Sequence, residues 1–149
     1  MKHSNLERAI VKYIKQNNIF KCHDLFISSD ENDNNHEILA EVRGITKSCR
    51  PDVVAYNFYG KKFYILGEAK SSNDFNNTDE KSKARHNRQM DVMINALRVK
   101  RNIEKYLIYA CEIDMRIKAE QMLLEKTAKF DAKNLHIILI DQVHNPELF

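Results

Sequence analysis

Apolar residues recur in two distinct rhythms along the chain, and the alternation between them predicts the order of elements. Leu6, Ala9, Ile10, Tyr13 and Ile14 fall at helical spacing, so a first helix is expected over about residues 5 to 16, with Ser4 and Glu7 spaced as a capping box. Asp24 to Ser28 and Glu37 to Arg43 read as a hairpin of two short strands around a polar turn, Ser29 to Asn35. Two further strands follow, Arg50-Pro51-Asp52-Val53-Val54-Ala55-Tyr56 and Phe63-Tyr64-Ile65-Leu66-Gly67-Glu68-Ala69-Lys70. Beyond Lys70 the chain turns polar through Ser71 to Thr78, which reads as a loop over the end of that strand.

Met90, Met93, Ile94 and Leu97 form the apolar stripe of a second helix over roughly Ser82 to Lys100. Tyr106 to Cys111 is a buried-looking strand. A third helix is expected over about Met115 to Phe130, with Ile117, Leu124 and Ala128 on one side, and Leu135 to Ile140 closes the series as an apolar strand. The order α-ββββ-α-β-α-β predicts an α/β domain in which helices flank a mixed sheet.

Length bounds this to a single domain over residues 1–149, since the chain is too short for two typical cores. No apolar stretch approaches the roughly 18 residues that span a bilayer, and no apolar secretory leader is present, so a soluble, cytoplasmic protein without a membrane partner is expected. Cys22, Cys49 and Cys111 are odd in number and widely separated, which argues against a disulfide framework or a structural zinc site and fits a reducing compartment. Cys111 reads as core packing.

Candidate chemistry concentrates at the two motif strands. If they pair as a hairpin through Tyr59-Gly60-Lys61-Lys62, the start of one lies beside the end of the other, and Asp52 meets Glu68 and Lys70. Adjacent carboxylates repel unless a cation lies between them, and a hard divalent ion accepts a few carboxylates while keeping positions for water and phosphate oxygen. Three acidic-x-Lys tripeptides occur, at Glu68, Asp79 and Asp131, but only Glu68-Ala69-Lys70 ends a β-like run preceded by Pro-Asp.

These residues resemble the PD-(D/E)XK nuclease superfamily. The resemblance implies a restriction-endonuclease-like core and a metal-dependent endonuclease acting on phosphodiester bonds, with DNA the expected partner. It implies Mg2+ or Mn2+ held by Asp52, Glu68 and the backbone carbonyl of Ala69, with Lys70 stabilising phosphate charge or positioning water. Superfamily members often add a first-helix glutamate, for which Glu7 stands in the corresponding place, and a glutamine from the helix after the motif, for which Gln89 does. Glu7 also fits the local capping role, and Gln89 shares a helical face with His86, Met93 and Ala96 or else sits on an exposed polar turn. His86 reads as either a proton carrier or plain surface. Glu41 would be a third carboxylate or part of an exposed alternating face.

Charge adds a direction. From Lys81 to Lys105 there are eight Lys or Arg against Asp91 and Glu104, a net of +6, while residues 106–149 carry −2. Lys81, Lys83, Arg85 and Arg88 are thus candidate phosphate-backbone contacts, with a solvated helix face as the plain alternative. Two other function classes stay open: an inactive nucleic-acid-binding module on the same fold, and an interaction domain that offers its acidic segment Asp30 to Asp33 to a protein. With one site per chain, cutting both strands requires a homodimer or sequential nicks.

Overall fold

The computed structural model describes residues 1–29, 50–57, 59, 62–76 and 79–149. The expected strand Glu37 to Arg43, Glu41, Cys49 and the acidic segment Asp30 to Asp33 lie outside them. Helix α1 spans His3–Gln16, β1 Leu25–Ser29, β2 Val53–Asn57, β3 Phe63–Lys70, α2 Ser72–Phe75, α3 Glu80–Arg98, β4 Glu104–Cys111, α4 Arg116–Lys129 and β5 Leu135–Ile140. The five strands form one sheet in sequence order. β1, β2 and β3 run as an antiparallel meander, and β3, β4 and β5 are parallel to one another. Each parallel step needs a crossover, which α3 and α4 supply.

Side chains alternate across β3, and the alternation divides the core in two. Phe63, Ile65 and Ala69 join Leu6, Ile10 and Ile14 of α1 on one face. Tyr64 and Leu66 join Met90, Met93, Ile94 and Leu97 of α3 on the other, together with Ala119 and Leu123 of α4. The mixed α/β architecture with a helix-flanked sheet therefore agrees with the sequence reading.

Gly67 sets how closely α1 approaches. A Cβ there would stand 2.9 Å from Ile10 Cγ2 and 3.0 Å from Val53 Cβ, tighter than packed side chains tolerate. Glycine at this strand position lets the helix lie flush on the sheet, and the first turn of α1 consequently reaches the end of β3.

Three local expectations are corrected. α1 begins two residues earlier, at His3, and Lys2 at its N-cap makes no side-chain capping bond, so Ser4 sits inside the first turn and the capping box is not built. Ser71 to Asn76 is not an open loop: the Ser71 hydroxyl accepts from the Asp74 amide and starts the single turn α2. On α4 the buried face carries Ala119, Leu123 and Lys126, while Ile117 and Leu124 are 73% and 61% exposed and Ala128 is exposed too. A lysine occupies the inner face because its ammonium is satisfied there, 2.6 Å from Asp91 Oδ1 and within hydrogen-bonding distance of the Asn87 side chain. Cys111 is buried as expected, and burial pushes its thiol up to about 11.

Candidate metal centre

β2 and β3 pair with Val53 opposite Gly67 and Val54 opposite Leu66, a register that places Asp52 opposite Glu68. The expected convergence is thus built by the sheet itself. The Ala69 amide donates to Asp52 Oδ2 at 2.8 Å, fixing the aspartate at the mouth of the meander. Glu68 and Lys70 have the same parity in β3, so both project toward the α3 face.

Gln89 of α3 meets them there. Its Nε2 donates to the Arg50 carbonyl at 2.9 Å and to Glu68 Oε2 at 3.3 Å, which makes it an inward polar group with partners rather than an exposed one. Asp52, Glu68 and Glu7 are buried, and Lys70 is half-buried. The Lys70 ammonium makes no hydrogen bond or ion pair among the described residues, although its charge reaches His86.

From the opposite face α1 adds Glu7 and a residue that sequence reasoning missed, His3. His3 Nε2 stands 3.4 Å from Asp52 Oδ1 and 3.6 Å from Glu7 Oε2. One ligand atom from each of the three lies within 4.8 Å of the others. The available signal was the four-residue step from His3 to Glu7, which puts both on one face of a helix.

The electrostatics follow from this packing. Burial opposes the charge on Asp52, but the His3 hydrogen bond and charge, a hydrogen bond with the Glu68 carboxyl and the Ala69 amide outweigh it and hold Asp52 below the usual carboxylate range. Asp52 reciprocates: its hydrogen bond raises His3 against the opposing effect of burial.

No family model, curated protein or solved structure matches this chain. The geometry of the site and the topology around it are therefore what any functional reading rests on.

Other expected residues fall outside the centre. Lys81, Lys83, Arg85 and Arg88 are exposed on the first half of α3, the half that precedes and includes Gln89. The basic run does not continue as one patch. Lys105 is buried and donates to the carbonyls of Arg98 and Lys100, closing the C-terminal end of α3, and Lys100 lies 4.2 Å over the Tyr64 ring. His86 is not plain surface. It is half-buried, with Nε2 3.2 Å from the Tyr109 hydroxyl and its ring against Phe75.

Proposed function

We propose that the chain is a metal-dependent nuclease with a restriction-endonuclease-like fold, hydrolysing phosphodiester bonds of DNA. The observation that carries the reading is the register placing Asp52 opposite Glu68, with Lys70 on the same face as Glu68 and Gln89 hydrogen-bonded to it. Four residues from three separate segments meet at one sheet end. A structural role alone explains poorly why buried acids should gather there.

The donor set fits a divalent cation. Asp52 is buried and held ionised, Glu68 and Glu7 are buried carboxyl groups, and His3 Nε2 lies within 3.6 Å of Asp52 and Glu7. Asp52, Glu68, Glu7 and the Ala69 carbonyl would hold Mg2+ or Mn2+, and His3 adds a nitrogen donor that Mn2+ accepts more readily than Mg2+. Such an ion would supply Lewis-acid polarisation of a phosphoryl oxygen and a more acidic bound water.

The chain's own groups account for the remaining steps. Lys70, whose ammonium at the end of β3 has no ion pair among the described residues, balances charge building on the phosphate or orients the attacking water. Gln89 holds Glu68 in place through its carboxamide, whose other bond anchors it to the Arg50 carbonyl. The exposed cations of α3 attract the phosphate backbone without reading sequence.

The test is incubation of the purified chain with labelled single- and double-stranded DNA and RNA in Mg2+, Mn2+ or chelator, alongside Glu68→Gln. Cleavage that requires the metal and disappears in the variant is expected. Undiminished cleavage by folded Glu68→Gln protein refutes the assignment.

A further inference from the structure

Next to the acidic centre, on the α3 side of the sheet, lies a cavity of about 370 Å³ that the proposed chemistry does not use. It is bounded by α2, the first half of α3 and α4. Phe75 and Met122 give it apolar lining, and Lys83, Lys118 and His86 line it too, with Asp74 as its one carboxylate. Lys83 and Lys118 make no ion pair among the described residues.

His86 links this cavity to the centre. Tyr109 pairs with Glu68 across β3 and β4, and its hydroxyl meets His86 Nε2. That is the hydroxyl's one hydrogen bond among the described residues. His86 Nδ1 is buried and has no partner among the described residues, so the ring presents its edge and face, not a free nitrogen, to the cavity.

An aromatic wall, an imidazole and two lysines without an ion pair among the described residues, all lining one small cavity, describe the chemistry of a nucleotide. Its base offers a π face and ring acceptors, and its phosphate offers negative charge. We infer that this cavity seats one unpaired nucleotide, with its base against Phe75 and beside the His86 ring, and its phosphate toward Lys83 or Lys118. In a duplex both base faces are covered, so only a single strand, or a nucleotide extruded from a helix, can present one to Phe75. The inference deepens the nuclease reading by naming its substrate: single-stranded nucleic acid, entering over α2 and α3 with the scissile phosphate toward Asp52 and Glu68.

Binding in chelator separates this inference from the chemistry. The probes are a fluorescein-labelled single-stranded oligodeoxynucleotide of mixed sequence, the same sequence as RNA, and the corresponding DNA duplex, read by anisotropy. The chain should bind single strands at least several-fold more tightly than duplex, with the DNA and RNA arms showing which sugar is accepted. Phe75→Leu keeps the apolar packing of α2 but removes the π face, and should weaken single-strand binding roughly tenfold while leaving duplex binding unchanged. Phe75→Tyr should restore it, and Lys118→Gln should lower the single-strand salt slope by about 0.7.

Equal affinity for duplex and single strand, or Phe75→Leu binding single strands within twofold of the parent, overturns the inference. So does a failure to bind any of the three probes. If the Phe75 variants behave as expected and no metal supports cleavage, the pocket stands and the nuclease reading falls. If cleavage occurs and the Phe75 variants are neutral, the reverse holds.

Discussion

Gln89 reaches across 21 positions of sequence to place its carboxamide nitrogen 3.3 Å from Glu68 Oε2, and the same nitrogen lies 2.9 Å from the Arg50 carbonyl. One side chain thus ties α3 to the start of the β2 segment and to the motif glutamate. Replacing Gln89 with leucine keeps its bulk but removes one donor from two buried acceptors. The expected result is a loss of about 1–3 kcal/mol in stability and a cleavage rate at least tenfold lower. Urea unfolding and single-turnover cleavage measure the two effects. A variant that matches the parent in both would make the contact incidental.

Lys70 offers a cleaner separation of roles. It is half-buried at the end of β3, so methionine, with a similar stem and no charge, should be accommodated with little change in stability. Divalent metal should still bind, since Asp52, Glu68 and Glu7 remain. Cleavage should fall by orders of magnitude, and arginine should rescue it only in part because its planar fork differs from a compact ammonium. The deciding measurement is the single-turnover rate of Lys70→Met at saturating Mg2+ or Mn2+. A rate within a few-fold of the parent would demote Lys70 to an ordinary strand-end lysine.

Lys81, Lys83, Arg85 and Arg88 are all exposed, so changing them together to glutamine should leave the fold intact. If each contacts a backbone phosphate of a single strand, each loss removes about 0.7 from the slope of log K against log salt, and affinity falls alike for unrelated sequences. Anisotropy titrations at several salt concentrations test this. A slope equal to the parent's would mean that the cations only solvate the helix.

The sheet and the acidic pair were legible in sequence for a simple reason. Apolar runs such as Leu135–Ile140 announce strands, and a short antiparallel connection forces Asp52 opposite Glu68 whatever the helices do. Tertiary packing hid the rest. His3 is unremarkable until Gly67 lets α1 settle close enough to bring it to Asp52. The inner face of α4 is not its apolar side because Lys126 is buried by virtue of Asp91 and Asn87, partners on another helix that no periodicity reveals. Sequence leaves His86 open between proton carrier and surface for the same reason, since what covers it comes from α2 and β4.

His86 also gives the fold an acid sensitivity whose sign can be worked out. Burial, with the nearby positive charges of Lys70 and Lys126, lowers it from 6.5 to about 4, although Asp52 and Asp74 pull the other way. Between those values the unfolded chain takes up a proton that the folded chain refuses, so stability falls as pH drops from 6.5 toward 4 and is unaffected by this group above 6.5. The difference between 6.5 and about 4 corresponds to a loss on the order of 3 kcal/mol. His86→Gln keeps an acceptor for the Tyr109 hydroxyl but cannot titrate. It should be less stable than the parent at pH 7 through poorer packing, and this deficit should shrink or reverse by pH 4. Urea unfolding of parent and variant, both in chelator, across pH 4 to 7 supplies the comparison, because carboxylates common to both proteins cancel in the difference. A parent-to-variant difference that stays constant over that range would show that His86 ionises as freely in the folded chain as in the unfolded one, and the buried imidazole beside Phe75 would lose its support.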